Sequence, residues 1–401
     1  MLDILKMKET GIMEKQISLA NKKTNTKRTY LLRTFRPGDE RGIISCVKEE
    51  HGDTYFKKYF YDKSLLREKA LGGEYVFFVA EETGGEKKDF EPIAGIEILR
   101  LFTKNGDDYI EPASQMIRKR HRGFHLSEAL VEYTFYVAKS IRPSALFVHT
   151  AMYHSITQHV CESYGMVPVG FEIGSFLAEV MQNSFVMEGI KKYSAGTLCY
   201  PVEKKNAGDV YLPAELKGYA GRIYEALGAT CHILTEDDMR KEEQKESTHT
   251  SADNNGFGDH DSLIHVSDEN GVNNYITINV LYAGDDLYER IKEIMDAYLK
   301  GDSRGYTKKH VQAKNGVLTN PEAHVFHLIL DIDTPKFFKQ YQRLKEMGFF
   351  FGSMQPLCGE HERVFLYWVG DIELHMEDYR VTDKFSVIRD RINGFYKERG
   401  V

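Results

Sequence analysis

What this 401-residue sequence lacks excludes several classes of protein. Cysteine is scarce: five residues, Cys46, Cys161, Cys199, Cys231 and Cys358, stand singly with no CxxC pair. That spacing excludes a disulfide scaffold, argues against a structural zinc site and fits a reducing compartment. No apolar run approaches the ~20 residues that span a bilayer. Residues 1–28 are Lys-rich and polar, without the apolar stretch of a signal peptide. A cytoplasmic protein with no membrane partner is expected. Positive charge is in deficit, with 53 Lys and Arg against 60 Asp and Glu and a net charge of −7. Proteins that hold polyanions have the opposite balance, so nucleic acid is not an expected partner. Tryptophan occurs once, but 24 Tyr, 23 Phe and a hydrophobic fraction of 42% supply ample core. Global disorder is thereby excluded, and the length suggests two domains.

Periodicity divides the chain into an N-terminal arm (1–28), a first folded unit (29–200), a connecting segment (201–235), a polar linker (236–262) and a second unit (263–401). The first unit reads as a strand at 30–33, then a helix carrying Ile43, Ile44 and Val47 behind the cap candidate Asp39. A Tyr-rich stretch (Tyr55, Tyr59, Tyr61) precedes apolar runs at 75–80 and 93–101 and an extended segment at 109–117. Leu126, Leu130, Tyr133 and Val137 then fall on one helical face. A strand at 145–150, a helix at 155–164 and a strand at 166–171 complete the unit. In the second unit a strand at 275–282 leads to a helix with Leu287, Ile291, Met295 and Tyr298. A strand at 325–332 and a helix with Phe337, Tyr341 and Leu344 follow, so 325–352 echoes 145–170. The class is α+β, with two related halves.

Chemistry concentrates at 117–130. A strand ends at Ile117, the turn Arg118-Lys119-Arg120-His121-Arg122-Gly123 is basic, and a helix begins after Phe124 and His125. Backbone N–H groups and a positive helix terminus converge there, which suits a phosphate. Alone, the same turn also reads as a solvated basic loop. Together with its neighbours it resembles the acyl-CoA-binding motif of the GNAT acyltransferase superfamily. Arg122 and Gly123 match an Arg-Gly opening, Leu130 matches a buried helix leucine, and His125 and Ser127 replace small motif residues. The order of elements over roughly residues 30–200 is similar to that family. His154-Ser155-Ile156-Thr157-Gln158 resembles a His-x-x-Ser-Gln segment of a bacterial subgroup.

The resemblance implies a mixed, mostly antiparallel sheet flanked by helices, followed by a smaller GNAT-like domain without a phosphate loop. It implies an N-acyltransferase that uses acetyl-CoA and a small-molecule amine, with direct attack in a ternary complex and no metal. Coenzyme contacts would fall to Met116, Ile117, Arg118, Arg122, Gly123, Phe124, His125, Leu126, Ser127, His154 and Gln158. Glu111, eleven residues ahead of Arg122, stands where many members place a general base, and Glu97 is the second candidate. Cys161 stands where many place the Tyr that protonates the departing thiolate. Each has a plainer reading, Glu111 as a solvated strand end before Pro112 and Cys161 as core. On helix 155–164, Ile156, Val160 and Tyr164 form the stripe expected to pack, and His154, Gln158 and Cys161 the stripe expected to face a cleft. His121 with His125, the linker histidines His249, His260 and His265, and the alternating Asp371, Glu373, His375 and Glu377 do not read as metal ligands. The second half is expected to shape the acceptor pocket or a homo-oligomer interface. The alternative is a non-catalytic module that binds acyl-CoA or a metabolite for regulation.

Overall fold

The computed structural model describes residues 14–53, 55, 57–84, 92–104, 107–177, 192–246, 261–267, 275–299, 325–370 and 372–399. Residues 1–13 of the expected arm, 247–260 of the expected linker, and Asp371, His249 and His260 lie outside this set. Residues 14–20 are no arm. Ile17 and Leu19 alternate with polar neighbours, a period of two that suits a strand, and β1 (Glu14–Ala20) pairs antiparallel with β2 (Lys27–Thr34). Then come α1 (Glu40–His51) and α2 (Lys63–Leu71). Asp62 caps α2 by accepting from the N–H groups of Ser64 and Leu65 at 2.7 and 3.0 Å. Asp39 holds the cap position of α1 without capping, because Arg33 grips its carboxylate at 2.7 and 2.9 Å.

β3 (Tyr75–Glu82), β4 (Ile93–Lys104) and β5 (Asp107–Ile117) continue as an antiparallel meander. α3 (Leu126–Ser140), β6 (Ala145–Ala151), α4 (Ile156–Ser163), β7 (Val167–Leu177) and β8 (Lys192–Pro201) follow. The expected connecting segment is itself folded: β9 (Asn206–Tyr211), α5 (Ala214–Ala226) and β10 (Thr230–Leu234) form a parallel two-stranded unit. The expected linker begins as α6 (Glu236–Glu246). The rest is β11 (Leu263–Ser267), β12 (Ile276–Tyr282), α7 (Leu287–Leu299), β13 (Val325–Asp331), α8 (Lys336–Glu346), β14 (Phe350–Gln355), β15 (Arg363–Val369) and α9 (Asp383–Glu398). At 372–377 the expected alternation holds, with Ile372, Leu374 and Met376 buried and Glu373 and Glu377 exposed. No strand forms there; Met376–Asp378 is a 3-10 turn.

Among the described residues the fold is α+β, with a thirteen-stranded, mostly antiparallel sheet in the order β1-β2-β3-β4-β5-β6-β8-β7-β14-β15-β13-β12-β11. Apolar clusters cover both faces of its first half. Ile43, Val47, Phe60 and Leu66 pack on Phe77, Ile96 and Ile98 on one side, and Leu126, Leu130, Tyr133 and Val137 join Phe78 and Leu99 on the other. The echo between 145–170 and 325–352 is a repeat of topology that extends further. β4-β5-α3-β6-α4-β7-β8 and β11-β12-α7-β13-α8-β14-β15 share the same sequence of antiparallel, parallel, antiparallel and antiparallel pairings.

The two series meet at a single pairing of Gly170 on β7 with Ser353 on β14. Gly170 has φ +140°, and a Cβ there would lie 2.3 Å from the Gly352 carbonyl oxygen and 2.4 Å from Ser353. Backbone cannot yield to that overlap cheaply. Gly170→Ala is therefore expected to lower Tm by several degrees in calorimetry. An unchanged Tm would show that the seam does not depend on that close approach.

Candidate functional site

β5 and β6 pair in parallel at only two positions, Tyr109 with Ala145 and Ile110 with Leu146. Pro112, which has no N–H to donate, lies just past the last pair. Ser114 then takes φ +54°, and the β4–β5 register shifts between Ile96 and Ile98, a bulge that turns the end of β5. Side chains, rather than backbone, meet across the resulting opening. Glu111 on β5 bonds His149 Nδ1 on β6 at 2.9 Å, and His149 Nε2 lies 4.0 Å from Glu172 on β7. Arg100 on β4 approaches Glu111 at 3.6 Å. Lys57 Nζ and the Tyr55 hydroxyl reach Ser114 Oγ at 2.9 and 3.0 Å. Glu111, His149 and Glu172 keep 19%, 30% and 24% of their side-chain surface, so none of the three is sealed in the core.

Burial would raise the Glu111 carboxyl, but the hydrogen bond and charge of His149, with Lys57 and Arg100, outweigh it and hold the group at about 2. Burial would lower His149, but the charge of Glu172 and the bond to Glu111 lift it to about 9. Burial also raises Glu172, against the pull of His149, and lowers Lys57, against the pull of Glu111. Glu111, the expected general base, is thus the hydrogen-bonded partner of His149, its carboxyl held low and the imidazole held high by the pair.

The basic turn lies at the end of β5 toward which the strand pair opens. Gly123 (φ +81°) and His125 (φ +59°) curve the chain into α3. The N–H groups of residues 123–128 find no acceptor among the described residues, so six donors surround one helix start. That donor set fits an oxyanion. The side chains are less available. Arg118 Nε bonds Glu49 at 2.8 Å, and Arg122 pairs with Glu50 and bonds the Ile117 carbonyl at 3.1 Å. His125 Nδ1 meets Glu128 at 2.9 Å, and Ser127 Oγ donates to Gln115 at 2.8 Å. Met116, Phe124 and Leu126 are buried, with the Arg28 guanidinium 4.8 Å from the centre of the Phe124 ring. Ile117 is half-buried against Gly95. His121 is fully buried beside Tyr30, and burial with three neighbouring arginines pushes it to about 3.

The other expected residues are placed differently. Glu97 lies on the α3 side of the sheet, away from Glu111, and accepts from Gln115 Nε2 at 3.3 Å. Burial pushes its carboxyl to about 8, against hydrogen bonds from Thr134 and Gln115. A native carboxyl raised in this way keeps its proton where the unfolded chain has lost it, so stability falls as pH rises from about 4.5 to about 8. Glu97→Gln removes that loss, and the Tm of the variant relative to wild type should climb across this window. A difference independent of pH would overturn it.

Of the stripe of α4 expected to pack, Val160 and Tyr164 do so but Ile156 is 65% exposed, whereas Gln158 and Cys161, expected to face a cleft, are buried. Gln158 reaches no cleft. Its amide donates to the carbonyls of Ala151, His154 and Arg380 at 3.2–3.3 Å and accepts from Thr382 N–H at 3.0 Å, stitching α4 to the second half. Those partners come from 222 and 224 residues away, so the local pattern could not reveal them. Burial pushes the Cys161 thiol to about 12, a weaker acid than the unperturbed thiol expected for protonating a thiolate. His154 is half-buried.

His149, Glu172, Arg100 and Lys57 were missed by sequence reasoning. A lone His in the apolar run 145–150 was the available signal for the first. The sequence also gives no hint that Asp331, Asp333 and His361 come together. They are tied into two ion pairs, Asp331 with Arg363 at 2.8 Å and Asp333 with His361 at 2.5 Å.

No family model matches the chain, and no curated protein matches it. Among solved structures it is similar to the ribosomal-protein-S18-alanine N-acetyltransferase from Escherichia coli, at 10% identity and TM-score 0.33, over 43% of this chain and 94% of that one. It is similar to Arabidopsis thaliana NAA60 in complex with acetyl-CoA, at 11% identity and TM-score 0.35, over 43% and 98%. Spermidine N-acetyltransferase from Vibrio cholerae in complex with CoA and spermine gives 17% identity and TM-score 0.34, over 43% and 95%. Likeness at this level assigns neither family nor substrate. No helix among the described residues is long and apolar enough to cross a membrane.

Proposed function

We propose that the chain is a GNAT-type N-acyltransferase that carries an acetyl group from acetyl-CoA to a primary amine of a small molecule. The observation that carries this reading is the parting of β5 and β6. The strands part toward the basic turn with its six unpaired N–H donors, and the charged Glu111–His149–Glu172 row lies along the parted stretch. The donors suit a pyrophosphate, and the gap lets an extended thioester lie beside the row.

The amine nitrogen attacks the thioester carbonyl carbon, the C–S bond breaks, and the sulfur leaves with the electron pair. The ammonium first loses one proton to solvent; the proton that the attacking nitrogen then sheds passes to His149 in its neutral form, with Glu111 fixing the ring, and returns from His149 to the thiolate. Neither Glu97 nor Cys161 takes part. The second half repeats the topology, but β12 and β13 pair at four positions and do not part as β5 and β6 do. We read it as a GNAT-like domain without a coenzyme site.

The test is acetyl-CoA turnover with a panel of primary amines, followed by release of the free thiol. Turnover that requires residues 111 and 149 supports the enzyme. Binding of acetyl-CoA in calorimetry without turnover on any amine overturns it in favour of an acyl-CoA-binding regulatory module. The core placement of Cys161 favours that second reading, because it leaves the thiolate no dedicated acid on α4.

A further inference from the structure

Cys199 and Cys358 stand 159 residues apart, one in each half, yet their sulfurs lie 3.3 Å from each other. Both side chains are fully buried, and both are free thiols. Cys199 lies on β8, paired with Phe147 of β6 and Val167 of β7. Cys358 lies just past β14, in the turn toward β15. The two thiols donate to one acceptor, the Pro356 carbonyl, at 3.7 and 2.7 Å, which leaves the sulfurs side by side. The turn that carries Cys358 is held in place. Leu357 takes φ +56°, a left-handed backbone that disfavours a side chain. Its N–H donates to the buried Glu362 carboxylate at 2.9 Å, which also accepts from the Tyr224 hydroxyl and Lys204 Nζ, each at 2.8 Å. Lys204 Nζ donates to the Gly359 carbonyl at 3.2 Å as well, and the Tyr109 hydroxyl donates to the Cys358 carbonyl. Tyr109 is one of the two β5 residues that pair with β6. Residues ahead of the second half thus fix the backbone of Cys358 and keep its thiol against Cys199.

We propose that Cys199 and Cys358 are a redox latch, which a peroxide closes to a disulfide that ties the second half to the first where β5 and β6 begin to part. This goes beyond the acyltransferase reading and does not rest on it. One sulfur attacks a peroxide oxygen, the O–O bond breaks, and a sulfenic acid forms as water leaves. The second sulfur attacks the first, the S–O bond breaks, and a second water leaves as the S–S bond forms. Each sulfur gives up one electron and each thiol its proton, and the peroxide takes up all four. The sulfurs have to close only from 3.3 Å to about 2 Å. Their fixed contact makes the second step intramolecular. Burial, with Cys199 alongside, pushes the Cys358 thiol well above its usual value, so the thiolate is rare and closure is slow. A link between residues so far apart in sequence restricts the unfolded chain far more than the folded one, so the closed latch stabilises the fold.

The experiment treats the full-length protein with hydrogen peroxide, blocks the remaining thiols with N-ethylmaleimide in denaturant and maps the unreduced peptides by mass spectrometry. The expected product joins the peptides of Cys199 and Cys358, while Cys46 and Cys161 carry the maleimide. A joined pair of any other cysteines overturns the proposal. So does maleimide on both Cys199 and Cys358 once the half-buried Cys231 has been oxidised. Calorimetry reads the latch itself: peroxide should raise Tm by several degrees, and dithiothreitol should reverse the rise. Cys199→Ser and Cys358→Ser should each abolish that response, and Cys231→Ser should keep it. Should a buried variant fail to fold, the peptide map and the reversible rise in Tm of the wild type decide the matter. A disulfide between Cys199 and Cys358 that leaves Tm unchanged overturns the latch. No readout uses acetyl-CoA, so failure here and failure of the acyltransferase reading are distinguishable.

Discussion

His149→Gln is expected to lower turnover by about 10²–10⁴-fold, the usual loss for a positioned acid–base group, while acetyl-CoA affinity stays within about threefold. Gln can still bond Glu111 but cannot carry a proton in exchange. The pH dependence makes the expectation sharper. His149 is raised to about 9, so only its small neutral fraction can take a proton at pH 7, and kcat/KM should climb toward pH 9 in the wild type. Glu111→Gln removes the partner that lifts His149. The sign follows directly: with that negative charge gone, the imidazolium is less stable and deprotonates at lower pH, so the rise in kcat/KM moves down. If Glu111 were itself the base, the same variant would lose activity at every pH, with no such displacement. Release of free coenzyme A followed between pH 6 and 10 separates the two. Wild-type rates in His149→Gln would remove the histidine from the mechanism.

A second large effect is expected at the loop. Arg122 is held by Glu50, so a cation adjoining the six N–H donors in sequence is partly neutralised. Arg122→Glu replaces the guanidinium with a carboxylate beside the proposed pyrophosphate site and opposite Glu50. Calorimetry should show acetyl-CoA binding weakened by roughly 10–100-fold. Glu50→Gln releases the guanidinium and should tighten binding by about threefold, more at low salt than at high. Opposite signs from the two partners of one ion pair are hard to produce by misfolding, which weakens binding in either case. Equal affinity in all three proteins would place the coenzyme elsewhere.

Much of the fold was legible because its signals are local. The stripe at Leu126, Leu130, Tyr133 and Val137 and the apolar runs at 75–80, 93–101, 145–150 and 325–332 are periodic patterns that burial alone explains. The basic turn was legible for the same reason, since a strand end, a Gly and a helix start are adjacent in sequence. Residues whose roles depend on distant partners were not. The burial of Gln158 on α4 came from Thr382 and Arg380, which occupy the side expected to be a cleft. Asp39 reads as a cap until Arg33 is seen to hold it. Glu111 reads as a candidate base or a solvated strand end, and the sequence does not show that β6 brings His149 alongside, because parallel pairing across a helix places residues 38 apart in contact. The strand at 14–20 was hidden by its charge, with only Ile17 and Leu19 to mark it.

The seam at Gly170 and Ser353 also bears on solubility. β7 and β14 would each be the last strand of its own half-sheet, presenting backbone donors and acceptors to any passing chain. β7 is 11 residues long and carries the buried Val169, Phe171 and Ile173. An outer strand of that length and composition is a template for aggregation unless something caps it. Here each half blunts the exposed flank of the other, and α9 closes over the join with Phe385 5.6 Å from Phe171. Neither half can therefore be released by cutting the chain without uncovering a sticky flank, so fusion of the halves protects the protein from self-association independently of any chemistry it performs.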